Sequence, residues 1–155
     1  MVTERTHSRE ILNVAVPYPA ESTEFIFYDG HCGLCHRAVR FVAERDRDGS
    51  RFRFAPLLGE TFKTRVPRDQ QAGLSNNMVL QTAEGLLVSR SSAWIRILQR
   101  LGGVWKLIAA LLSSIPTPLR DALYDFVASS RYHVFGRRFD VCPVASPNLR
   151  GRFAP

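Results

Sequence analysis

The stretch Phe25-Ile26-Phe27-Tyr28-Asp29-Gly30-His31-Cys32-Gly33-Leu34-Cys35 constrains this chain more than any other. Four consecutive apolar residues predict a strand covered on both faces. Asp29-Gly30 breaks it, and two cysteines spaced C-x-x-C open the amphipathic segment that follows. Two thiols are thereby placed at a helix N-terminus beside a sheet edge, where the helix dipole and free backbone N–H groups favour a thiolate. Taken alone, the spacing also fits half of a zinc site or two inert buried cysteines.

The helix is expected from Cys32 or Gly33 to about Arg45. Leu34, Cys35, Ala38, Val39, Phe41 and Val42 fall on its inner side, and Arg37, Arg40, Glu44 and Arg47 on its outer side. Asp48-Gly49-Ser50 supplies a turn, and Arg51 to Ala55 alternates as a strand with Phe52 and Phe54 inward. Strand, helix and strand make a right-handed parallel unit. A weaker helix is expected from Leu57 to Val66, then a polar stretch to Asn77 with room for one more helical turn. Met78 to Thr82 and Leu86 to Ser89 read as a hairpin around Gly85. A helix capped by Ser91 or Ser92 follows, with Ala93, Trp94, Ile97, Leu98 and Leu101 inward. The order β-α-β-α-β-β-α is the connectivity of a thioredoxin-like α/β core with a mixed sheet, and it puts the C-x-x-C after the first strand.

Residues 104–155 form a helical C-terminal extension. Val104 to Leu112 is strongly apolar but far too short to span a bilayer, so it is expected to be a buried or interfacial helix. Thr117-Pro118 predicts a helix start, with Leu119, Leu123, Phe126 and Val127 facing inward as far as about Ser129. Trp94, Trp105, Tyr124, Phe126, Tyr132 and Phe135 are assigned to the core rather than to a cofactor.

At 155 residues the chain is expected to form one domain from residue 24 onward, after a loosely docked leader over 1–23. Three cysteines are too few for a secreted disulfide framework, and the leader shows no apolar signal segment. A reducing cytoplasm is therefore the expected compartment. The net charge of +7 comes mostly from arginines spread along the chain, without the motif or aromatic platform of a nucleic-acid binder. No phosphate loop or dinucleotide fingerprint is present, so no cofactor is expected and electrons would come from a thiol reductant.

Tyr28-Asp29-Gly30-His31-Cys32-Gly33-Leu34-Cys35 resembles the Y-D-G-x-C-x-x-C signature of the DCC-type thiol-disulfide oxidoreductases, named for the residues that here are Asp29, Cys32 and Cys35. The likeness extends through Phe52-Arg53-Phe54-Ala55-Pro56-Leu57, Ser91-Ser92-Ala93, Leu119 to Tyr124, Arg131-Tyr132, Phe135-Gly136 and Cys142-Pro143, from about Glu24 to Phe153. It implies a thioredoxin-like domain with protein-disulfide reductase activity. Thioredoxins and glutaredoxins carry a cis-proline before their third strand. Here Leu74-Ser75-Asn76-Asn77 precedes Met78, so either the groove is built differently or peptides are held in another way.

In the expected chemistry Cys32, the more exposed thiol, attacks a disulfide, and Cys35, one turn inward, resolves the mixed disulfide. The substrate is a disulfide-containing protein or a small thiol. His31 and Arg37, with His36, are expected to supply positive potential. Asp29 either fixes the turn through backbone N–H groups or helps move the Cys35 proton. Cys142 is a buried apolar residue, a third redox thiol, or a zinc ligand with Cys32, Cys35 and a histidine such as His133. A second close ligand pair is missing for zinc. The alternatives from other classes are a non-catalytic module that binds a partner or a membrane surface through the helical C-terminal half, and a zinc-stabilised structural protein.

Overall fold

A computed structural model describes residues 23–74, 77–136 and 147–155. The elements run β1 (Glu24–Tyr28), α1 (Gly33–Arg45), β2 (Phe52–Pro56), α2 (Glu60–Arg65), α3 (Arg68–Leu74), β3 (Val79–Gln81), β4 (Leu87–Ser89), α4 (Arg90–Leu101), α5 (Val104–Ser113), α6 (Thr117–Phe135) and α7 (Pro147–Arg150). The sheet order is β2-β1-β3-β4, with β1 parallel to β2 and antiparallel to β3, and β3 antiparallel to β4. This is the expected mixed α/β, thioredoxin-like order, with the polar stretch before β3 folding as α3.

The uninterrupted apolar run of β1 is explained by two layers of core. Ile26 and Tyr28 pack with Val39, Val42, Phe52, Phe54, Ile97 and Leu98 on the side of α1 and α4. Phe25 and Phe27 pack with Phe62, Val66 and Val79 on the side of α2. At about 1.5–3 kcal/mol for each large side chain taken fully out of water, these two layers fix the register of β1. Glu24 opens the strand as a buried carboxylate, paired with Arg96 at 3.1 Å and Arg100 at 3.6 Å.

The tail returns to the outer edge of β2. Phe54 N–H donates to the Arg152 carbonyl at 2.9 Å, and Ala154 N–H donates to the Phe54 carbonyl at 2.8 Å. Arg152 also donates to the Ala43 and Asp46 carbonyls at the end of α1. An edge strand that would otherwise offer unpaired backbone is thereby covered.

Three expectations change. Neither Ser91 nor Ser92 caps α4: the N-cap is Ser89, and the Ser91 hydroxyl donates instead to Asp121 on α6 at 2.5 Å. Helix α6 runs on to Phe135, with Pro116 as its N-cap residue. Its apolar positions do not turn inward, since Leu119, Leu123 and Phe126 are 63%, 65% and 70% exposed and Val127 is exposed as well. Helix α6 packs on α4 and α1, and its other side carries Tyr124 onto Met78, Arg131 onto Asp29 and Tyr132 against the core. Residues 1–22 of the leader, and Cys142, lie outside the described residues.

Candidate active site

Tyr28 ends β1, and Asp29-Gly30-His31 turns the chain into α1. The turn is closed by Asp29, whose Oδ1 accepts the His31 N–H at 2.9 Å, and by Cys32 N–H donating to the Asp29 carbonyl at 3.2 Å. Buried His36 reaches back one turn, with Nε2 2.7 Å from the Gly30 carbonyl, which requires the Nε2–H tautomer. Its ring also packs edge-on against Tyr28. These contacts hold the loop at both ends.

Cys32 is the N-cap of α1, and its sulfur accepts the Cys35 N–H at 3.3 Å. A thiol in the position of a capping serine meets the otherwise unpaired donors of the first helical turn. The Cys32 thiol is pulled down from 9.0 to about 6. The Cys35 side chain as hydrogen-bond donor is the main cause; burial opposes it, and the Cys35 N–H and the charge of Arg131 add to it. Cys35 is pushed up, first by that same hydrogen bond, then by burial and by the charge of Cys32. The pair thus divides into one thiol that ionises readily and one that keeps its proton.

Exposure runs opposite to expectation. Cys32 is fully buried, whereas Cys35 is 7% exposed and lines a cavity. The cause is the end of α6, which lies against Gly33, the residue next to Cys32. Gly33 N–H points at the Gly136 carbonyl at 3.5 Å, and a Cβ at Gly33 would lie 2.6 Å from the Phe135 carbonyl oxygen. Only glycine admits that approach.

The cation nearest this chemistry is also not the expected one. Arg131 of α6, almost fully buried, donates to Asp29 Oδ2 at 3.3 Å and to the Tyr132 hydroxyl at 3.0 Å. The Tyr132 hydroxyl itself donates to the same Asp29 oxygen. Burial and the Asp29 bond raise the Tyr132 pKa, so the phenol stays protonated as a donor. Asp29 therefore has both oxygens engaged, and its charge is offset by Arg131, which removes the conflict between a carboxylate and a nearby thiolate. His31 stands outside, with an exposed ring 3.9 Å from Asp29 Oδ1. Exposed Arg37 lies over the Phe135 ring at 5.5 Å. The sequence carried one signal for Arg131: the Arg131-Tyr132 pair within the family likeness.

Where thioredoxins place a cis-proline, the Met78 N–H donates to the Tyr124 hydroxyl of α6 at 3.1 Å. Met78 lies in the wall of the same cavity as Cys35. Helix α6 thus takes over the ground beside the thiols that the missing proline would shape. Among the described residues, no three His, Cys, Asp or Glu side chains converge as metal ligands do. No described helix is long and apolar enough to cross a membrane.

The family model described as DCC1-like thiol-disulfide oxidoreductase matches residues 26–137. The uncharacterized protein YuxK of Bacillus subtilis (strain 168) is 32% identical over 130 residues, covering 84% of this chain and 93% of that protein. The chloroplastic DCC family protein At1g52590 of Arabidopsis thaliana is 29% identical over 144 residues, covering 88% of this chain and 83% of its own. No solved structure matches the chain.

Proposed function

Because the chain belongs to the DCC1-like thiol-disulfide oxidoreductase family, we propose that Cys32 and Cys35 are a redox-active dithiol that reduces disulfides through a mixed disulfide. The observation that carries this reading is the place of Cys32 as N-cap of α1, its sulfur accepting the Cys35 N–H at 3.3 Å, an arrangement that pulls the Cys32 thiol down and leaves Cys35 pushed up. At neutral pH Cys32 is a thiolate, the form that attacks a disulfide sulfur. The Cys32 sulfur bonds to one substrate sulfur, the substrate S–S bond breaks, and the departing thiolate takes a proton from water. Cys35 then gives up its proton and attacks the Cys32 sulfur, releasing the second substrate thiol and leaving a Cys32–Cys35 disulfide. A thiol reductant returns two electrons and two protons.

In this scheme Arg131 stabilises the Cys32 thiolate, and Asp29 is a positioning residue that holds both the turn and Arg131. Both oxygens of Asp29 are engaged, which favours this role over transfer of the Cys35 proton. His31 and Arg37 are modulators from the rim. Substrates are disulfide-containing proteins or small disulfides, and the compartment is the reducing cytoplasm. Because Cys32 is covered, attack on a protein disulfide requires the end of α6 to move off Gly33.

The test is a Cys35→Ser variant, which keeps the nucleophile and lacks the resolving thiol. It should accumulate disulfide-linked partners through Cys32, and Cys32→Ser should accumulate none. Equal trapping by the two variants, or none by either, refutes the mechanism.

One observation favours a second reading, a binding module. Val104, Leu107 and Leu111 of α5 and Leu119, Leu123 and Phe126 of α6 are exposed large apolar residues, the kind that lines protein or membrane contact surfaces. A protein whose thiols fail to trap but which co-sediments with vesicles would be that module.

A further inference from the structure

The cavity beside Cys35 is a second feature of the site with a chemistry of its own. Its volume is about 640 Å³, within the range of small-molecule sites. Buried Cys35 and Met78 mark its inner end, half-buried Trp94 lies in its wall, and exposed Ile115, Leu119 and Leu123 mark its mouth. The lining is almost entirely apolar. Arg120 and Arg131 interrupt it, with Ser91 and Tyr124, and Arg131 is engaged with Asp29 and Tyr132. The Arg120 Nη2 donates to the Thr117 hydroxyl at 2.8 Å, but its Nε is buried with no hydrogen-bond partner among the described residues. No carboxylate among the described residues forms an ion pair with it; its neighbour Asp121 accepts from Ser91 through Oδ1. A buried N–H of a cation left without an acceptor is unfavourable, and a ligand that supplies the acceptor relieves that cost. An apolar cavity whose wall holds the buried Arg120 Nε without an acceptor is complementary to an aliphatic chain ending in a carboxylate.

We infer that this cavity binds a medium- or long-chain monocarboxylate, its chain extending toward Cys35 and Met78 and its carboxylate accepting from Arg120 Nε. The bound chain covers Cys35, so occupancy is coupled to access at the dithiol. The inference goes beyond the redox proposal, and its binding assay contains no redox step, so either can fail without the other.

Dodecanoate, kept below its micelle concentration, is titrated against the full chain, with dodecanol as the uncharged control. Native mass spectrometry gives stoichiometry and Trp94 fluorescence gives affinity. One saturable site is expected. Arg120→Gln should weaken dodecanoate about tenfold, the cost of one hydrogen bond to a charged group, and leave dodecanol unchanged. Ala128→Phe, which fills the cavity, should weaken both; if that variant does not fold, Ala38→Leu fills the same space from α1. Saturating dodecanoate should also slow alkylation of Cys35 in Cys32→Ser protein. Absence of saturable uptake overturns the inference, and so does equal binding of acid and alcohol untouched by Arg120→Gln. Flotation with vesicles without uptake of monomeric dodecanoate would make the apolar face a bilayer-docking surface and overturn it as well.

Discussion

Removing the sulfur of Cys35 while keeping its backbone should raise the Cys32 pKa by a calculable amount. Cys35 offers Cys32 two donors, its side chain and its N–H, the latter at 3.3 Å. Cys35→Ala deletes the first and keeps the second. One hydrogen bond to an ionised acceptor is worth about 1.5–3 kcal/mol, and at about 1.4 kcal/mol per pKa unit that is about 1–2 units. Cys32 should therefore move from about 6 to about 7–8. Cys35→Ser restores an O–H donor and should return the value close to about 6. Because Cys32 is buried, the assay is thiolate ultraviolet absorbance against pH, with the Cys32→Ser, Cys35→Ala double variant subtracted. An unmoved midpoint in Cys35→Ala would refute the claim that the resolving thiol sets the nucleophile. A full return to about 8.5, the free-thiol value, would refute the contributions of the N–H and of Arg131.

The reduced protein should gain stability as pH rises between about 6 and about 8.5, because the unfolded chain there still binds a Cys32 proton that the native state has lost. The gain is about 3 kcal/mol, it is lost as pH falls through about 6, and urea midpoints across the window should show it in the native protein and not in Cys32→Ser. Arg131→Met should destabilise by about 3 kcal/mol and raise the Cys32 pKa, since it strands Asp29 beside the thiol; adding Asp29→Asn should recover part of both losses, by denaturation and thiol titration. Gly33→Ala drives a Cβ against the Phe135 carbonyl, and overpacking of about 1–3 kcal/mol should open the α6 cover. Alkylation of Cys32 should then speed up at least about fivefold, and an unchanged rate would mean that α6 is not what covers the thiol.

Much of the fold was legible because it follows from local pattern. The apolar run of β1, the alternation of Phe52 and Phe54, and the glycine hairpin before Leu86 each specify an element and its neighbour. The C-x-x-C at the start of α1 was legible for the same reason. What the sequence hid lies at long range. Arg131 is 102 residues from Asp29 in the chain, and no periodicity reports a contact across that distance. The burial of Cys32 depends on Gly33 accepting the end of α6, and a glycine inside C-x-x-C gives no sign of its partner. Helix α6 misled for a physical reason. Its apolar residues are spaced as for a core, but the rest of the fold is reached through Tyr124 on Met78 and through Arg131 and Tyr132 on Asp29, and the leucines line a cavity mouth. Cys142 stays with the expectations, outside the described residues.

Cys32 and Cys35 are proposed to act as one two-electron couple. Equilibration of the purified protein in graded ratios of reduced and oxidised glutathione, followed by acid quench and mass spectrometry, measures this directly. A single reversible transition between dithiol and Cys32–Cys35 disulfide is expected, with two-electron steepness, abolished in either Cys→Ser variant. Thiols that stay reduced across the whole range, or that glutathionylate independently without forming the intramolecular bond, would contradict it.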